Sequence, residues 1–198
     1  MKKETIVAFD FDGTITHSDT FLAFLRFTHS ATRLVSGFLL LLPTLVLYKL
    51  GVIPNYKAKE RVFRWFYRGW HIDRFDGKCK EFTQHIEKLV RPTARDLITR
   101  YRNDGAKVVV VSASIENWLH YWCINNGIDT VIGTKIEIDQ QGYITGRFAS
   151  KNCYGPEKVN RLSALYPARE SYILEAYGDS RGDKELILFA DRGYMNKI

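Results

Sequence analysis

Three short β-branched, apolar runs stand out along the chain: Thr5 to Phe9 (TIVAF), Lys107 to Val111 (KVVVV) and Tyr172 to Tyr177. Each stops abruptly at a small or acidic polar residue, namely Asp10, Ser112 and Gly178-Asp179. Continuous apolar runs of this length predict buried parallel strands. Helical periodicity follows over Thr93 to Asn103, with Pro92 in the first turn, over Ile115 to Asn125 and over Glu157 to Leu165. Strands alternating with helices predict an α/β fold, a doubly wound, Rossmann-like parallel sheet. In such sheets ligands bind outside the carboxyl ends of the strands, so Asp10, Ser112 and Asp179 are expected to share one crevice. Lys135 to Ile138 and Tyr143 to Thr145, flanking Asp139-Gln140-Gln141-Gly142, read as a small β-hairpin.

About seventy residues between the first strand and Arg91 lack strand alternation, too many for a plain crossover, and predict an inserted helical cap. The expected division is a core of residues 1–16 and 92–198 and a cap of residues 17–91. Leu34 to Tyr48 (LVSGFLLLLPTLVLY) is the most apolar run, bracketed by Arg33 and Lys49 and interrupted by Pro43. It falls short of the ~20 residues that span a bilayer. In Val62 to Trp70 (VFRWFYRGW) aromatic rings alternate with arginines. Two readings stand: a buried cap helix with a structural aromatic cluster, or a monotopic membrane contact with the aromatic segment as interfacial anchor. A span including Lys49 is the less favoured third.

Composition is that of an ordinary globular protein, 45% hydrophobic and 26% charged, which excludes disorder and repeat architectures. The net charge of +7 is local. His17 to Arg91 holds thirteen Lys and Arg against six Asp and Glu, and the rest of the chain balances. A basic segment of this kind attracts anionic partners: acidic lipid headgroups, phosphorylated substrates or nucleic acid. Three widely spaced cysteines, Cys79, Cys123 and Cys153, fit no disulfide framework and predict a reduced, cytosolic setting. The first ten residues show no signal-peptide pattern. Neither do the five histidines, His17, His29, His71, His85 and His120, show ligand spacing, and no catalytic role is assigned to them.

Asp10-Phe11-Asp12-Gly13-Thr14 after the first strand, the Ser112 strand end in VVVVSAS, Lys158 in GPEKVNRL and the acidic GDSRGD of Gly178 to Asp183 occur in one order with long gaps. In that order they resemble the four motifs of the haloacid dehalogenase (HAD) superfamily phosphatases. The resemblance covers nearly the whole chain and implies the α/β core with a C1-type cap, as in the subfamily that includes phosphoserine phosphatase. It implies that Asp10 is a nucleophile forming an aspartyl phosphate and that Asp12 is the general acid and base. It implies Mg²⁺ held by Asp10, the backbone carbonyl of Asp12 and Asp179, with Asp183 supporting the metal shell. Ser112 and Ala113, with Gly13 and Thr14, would bind the phosphate, and Lys158 would balance its charge. An aspartate at position 12 favours a true phosphatase over a dehalogenase or a transport ATPase.

For the substrate, Asp19 stands where phosphoserine phosphatase holds the substrate amino group, although an Asp there equally caps a helix beginning at Thr20. The stretches FLLLLPTLVLYKLG, CYGPEKV and YGDSRGDKELILF, together with the first motif, resemble the phosphatidylglycerophosphatase C branch. That resemblance implies a phospholipid substrate, an anionic membrane surface as partner and a peripheral or monotopic place at the inner face of the cell membrane. No nucleic-acid partner is expected. A catalytically silent anionic-surface binder would leave Asp10, Asp12, Lys158 and Asp179 without purpose.

Overall fold

The β-branched runs form the centre of a five-stranded parallel sheet in the order β3-β2-β1-β6-β7. This is a computed structural model that describes residues 3–128 and 130–198; Met1 and Lys2, in the segment read for a leader, and Asp129 lie outside it. The strands are β1 (Glu4–Phe9), β2 (Lys107–Ile115), β3 (Thr130–Thr134), β6 (Tyr172–Gly178) and β7 (Arg192–Met195). β1 pairs with β2 on one side and β6 on the other, so the strand order reverses beside it and opens a crevice at its carboxyl end. Ile6, Val7, Ala8 and Phe9 are fully buried because helices cover both faces of the sheet.

The covering helices are α5 (Pro92–Asn103), α6 (Glu116–Asn125), α7 (Pro156–Leu165) and α8 (Lys184–Phe189). Pro92 and Pro156 sit in first turns, where the missing N–H costs nothing. The hairpin is β4 (Ile136–Ile138) and β5 (Ile144–Phe148), with Ile138 opposite Ile144. β2 runs past Val111 to Ile115, because a register irregularity against β3 lets the strand continue through Ser112. β3 and β7 were not anticipated by pattern.

Between β1 and α5 come four helices, α1 (Thr20–Thr28), α2 (Ala31–Lys49), α3 (Asn55–Tyr67) and α4 (Ile72–Glu87). Their core is aromatic: Phe24 lies against Tyr67, Phe75, Phe82 and Trp118 of α6, with ring centroids 4.8 to 5.6 Å away. The interfacial-anchor reading of Val62 to Trp70 is corrected here. Val62, Phe63, Phe66 and Tyr67 are buried and Arg61, Arg64 and Arg68 face outward, leaving Trp65 exposed and Trp70 partly so. The apparent alternation is a 3.6-residue period.

The buried-helix reading of Leu34 to Tyr48 is corrected too. Within α2 only Gly37 is buried, while Leu39 is 65% and Leu40 63% exposed. Gly37 is where α2 crosses α3, since a Cβ there would collide with Trp65 and Phe66. α2 has 19 residues and the length and composition of a membrane-crossing helix, and it lies along the cap through Leu34, Phe38, Leu41 and Leu45.

Candidate functional site

Asp10 is the first residue after β1, with its amide bonded to the Tyr177 carbonyl at 2.9 Å, and its side chain enters the crevice. The ammonium of Lys158, in the first turn of α7, is 2.5 Å from Asp10 Oδ1 and 2.5 Å from Asp183 Oδ1. All three side chains are almost wholly buried. Burial pushes the Asp10 carboxyl up to about 7 despite Lys158, with Asp183 and Asp12 adding to the rise. Burial works against the charge on Lys158, but Asp10 and Asp183 outweigh it and raise its pKa.

Asp183 ends a 3₁₀ turn, Arg181–Asp183, and Ser180 and Asp183 form a reciprocal capping box. Its Oδ2 accepts from the Ser180 amide at 3.0 Å and the Ser180 hydroxyl at 2.9 Å. Oxygens of Asp10, Asp179 and Asp183 lie within 4.8 Å of one another, a donor set of hard oxygens suited to a divalent cation such as Mg²⁺. With both Asp183 oxygens engaged, Asp10 and Asp179 are the members freer to ligate. The Thr14 hydroxyl donates to Asp179 Oδ1 at 3.3 Å, and Gly13, at φ 85°, leaves no room for a Cβ beside the Asp179 carboxylate. Thr14 and Gly13 thus stand behind Asp179. Burial, then Asp183, raises the pKa of Asp179.

The Asp12 carboxylate turns away from this cluster. Its Oδ1 accepts from the Thr20 amide at 2.8 Å and the Thr20 hydroxyl at 2.6 Å, and its Oδ2 accepts a short bond from the Ser114 hydroxyl. Burial, then the charge of Asp19, raises its pKa. Asp19 does cap α1: its Oδ1 accepts from the Leu22 amide at 2.9 Å, and the residue also lines the crevice. Ser112 and Ala113 form part of the wall, Ser112 Oγ accepting from the Ser114 amide at 3.1 Å.

The pattern reading missed Ser114, Thr20 and, most of all, Lys59. Lys59 lies on α3, donates to the Ala113 carbonyl at 2.9 Å and stands 5.2 Å from the Phe21 ring. Burial lowers its pKa, opposed by Asp12 and Asp19. Among the described residues no carboxylate lies within ion-pairing distance of it. Its signal was present: Lys59 is one turn before Phe63, on the face of α3 that carries Ala58, Val62, Phe63 and Phe66. The crevice encloses about 430 Å³, with Asp10, Asp12 and Lys158 at its floor and Phe21, Leu22, Phe38, Leu45 and Tyr48 on its cap side. None of the histidines lines it.

The profile of the haloacid dehalogenase-like hydrolases matches residues 7–187. Protein CicA of Caulobacter vibrioides is 34% identical over 191 residues, which cover 96% of this chain and 85% of that protein. The histidinol-phosphatase of Neisseria meningitidis is 27% identical over 115 residues, 54% of this chain and 51% of its own. A crystal structure of a Bordetella pertussis protein of unknown function superposes with a TM-score of 0.78 at 17% identity, covering 96% of this chain and 89% of that one. A phospho-aspartyl intermediate analogue of phosphoserine phosphatase superposes with a TM-score of 0.63 at 19% identity, covering 98% and 86%. The chain belongs to the haloacid dehalogenase-like hydrolase family, and it is an enzyme.

Proposed function

We propose that the enzyme is a Mg²⁺-dependent phosphomonoester hydrolase that works through an aspartyl phosphate and removes a phosphate from a lipid headgroup, with phosphatidylglycerophosphate as the substrate. One observation carries the lipid part of this reading. The crevice joins a charged floor of Asp10, Lys158 and Asp183 to an apolar wall supplied by α2, a helix whose outer face is exposed and oily. A soluble amino-acid ester has no use for that wall.

In the first half-reaction an Asp10 oxygen attacks phosphorus, the bond from phosphorus to the leaving oxygen breaks, and Asp12 gives its proton to the departing alkoxide. In the second, Asp12 takes a proton from water as that water attacks the phosphorus of the aspartyl phosphate, freeing inorganic phosphate and restoring Asp10. Thr20 and Ser114 hold the Asp12 carboxyl in place through both steps. Lys158 keeps Asp10 fixed and offsets negative charge on the phosphoryl group. Mg²⁺ bound by Asp10 and Asp179 would supply further neutralisation at the phosphoryl oxygens.

The basic cap and the exposed residues of α2 suit docking on an anionic bilayer, where each Lys or Arg near the surface contributes about 1 kcal/mol. A second reading, a small amino-bearing ester such as phosphoserine, draws on the position of Asp19 in the crevice wall. Phosphate release from phosphatidylglycerophosphate in mixed micelles, measured beside phosphoserine with Mg²⁺, separates them. Preference for the lipid supports the proposal, and preference for phosphoserine overturns its substrate.

A further inference from the structure

We propose that the groove between α1 and α2 holds a hydrocarbon chain of the substrate while its phosphate lies over Asp10; this rests on the lipid-phosphate reading above. The groove has a volume of about 610 Å³ and shares Leu22, Phe38 and Leu45 with the catalytic crevice, so the two adjoin at these side chains. Beyond these shared residues it is walled by Val35, Leu39 and Leu42, which are 60%, 65% and 52% exposed. Its single charged lining residue is Arg26.

The chemistry of the lining selects the occupant. A peptide strand would bring backbone N–H and C=O groups that such a wall cannot satisfy. A hydrocarbon chain asks for none. Adjacency to the crevice adds a requirement on the ligand, a phosphate ester at one end and an apolar tail at the other. The groove also explains why aliphatic side chains stay uncovered on α2 beside the catalytic mouth: the substrate covers them during turnover.

The test uses the full chain, Mg²⁺ and primary alkyl phosphates of increasing length, each below its micelle-forming concentration and with no vesicles present, so that no bilayer contributes. Burial of each further methylene is expected to raise kcat/KM roughly two- to fourfold until the groove is filled, after which the series levels. Filling the outer groove with Leu42→Trp or Val35→Trp should flatten the rise, and Leu39→Asp, at an exposed position, should do so without a bulky side chain. A flat series in the natural protein, or a rise that these substitutions leave unaltered, overturns the proposal. If the series is flat while phosphatidylglycerophosphate in mixed micelles is still cleaved in preference to phosphoserine, the groove is refuted and the lipid reading stands. If phosphoserine is cleaved faster than every alkyl phosphate and faster than phosphatidylglycerophosphate in mixed micelles, both are refuted.

Discussion

The Lys158 ammonium lies 2.5 Å from Asp10, with neither side chain more than 8% exposed. A buried carboxylate beside a buried ammonium is stable only as a pair, and Asp183 completes the set from the other side. Lys158→Met removes the one cation shared by two buried acids. Turnover should fall by about a hundredfold or more, as for loss of a preorganised charge contact. A variant that keeps near-natural kcat would show that the phosphoryl group is neutralised elsewhere.

The proton balance of the site sets a pH dependence of stability. Burial raises Asp10 from 3.8 to about 7, so the folded, metal-free protein holds a proton that the unfolded chain releases near pH 4. The contribution of Asp10 to stability therefore falls as pH rises between about 4 and 7, and burial shifts Asp12 and Asp179 in the same direction, while the lowered pKa of His29 works against them. Mg²⁺ binds the ionised carboxylates, so its stabilising effect should grow across that window. Thermal midpoints in EDTA and in Mg²⁺ at several pH values test this. A metal-free pH dependence that is the same in Asp10→Asn as in the natural protein would contradict it.

Thr20 gives Asp12 two hydrogen bonds, one from its amide and one from its hydroxyl. Thr20→Val keeps the shape and the amide bond but deletes the hydroxyl, leaving Asp12 less well held. We expect kcat to fall several-fold to tenfold with little change in KM, while Asp12→Asn, which removes the acid itself, should lose about a hundredfold or more. Equal losses in the two variants would mean that Thr20 does more than position Asp12.

Lys59 brings a cap-borne positive charge to the Ala113 carbonyl, at the edge of the expected phosphate site. Lys59→Met should raise the inhibition constant of inorganic phosphate about tenfold, and Lys59→Arg should recover part of it. An unaltered constant in both would confine Lys59 to packing against Phe21.

Strand ends were the most readable part of the chain. Asp10 and Asp179 follow apolar runs whose burial leaves no other role for those runs than strand centre, and α/β topology brings these ends together; Ser112 follows such a run too, but β2 continues through it to Ile115. β3 was missed because TVIGT is interrupted by Gly133, and β7 because RGYM is a short, half-polar edge strand. Lys59 was lost among the cap's other basic residues, since only the helical register of α3 marks it as inward. The exposure of α2 was out of reach for a different reason. Apolar composition says that a helix seeks cover, and only the positions of α1 and α3 decide which face receives it.

If α2 meets a bilayer, its outermost apolar residues should matter for binding and not for folding. Leu40 on α2 and Leu50 just past its end, 63% and 71% exposed, lie outside both the crevice and the groove. Leu40→Glu with Leu50→Glu should weaken sedimentation with anionic vesicles tenfold or more at low salt, with the thermal midpoint unchanged. Binding that survives both substitutions would place the contact elsewhere on the cap.

The nucleophile is the centre of the account, and trapping it is the most direct measurement. Acid quench of the enzyme during turnover, borohydride reduction of any acyl phosphate and peptide mass mapping should convert residue 10 alone to homoserine, in a Mg²⁺-dependent manner. Asp10→Asn should give neither the adduct nor phosphate release while keeping its fold. Reduction at another acidic residue, or steady Mg²⁺-dependent turnover by Asp10→Asn, would contradict the mechanism.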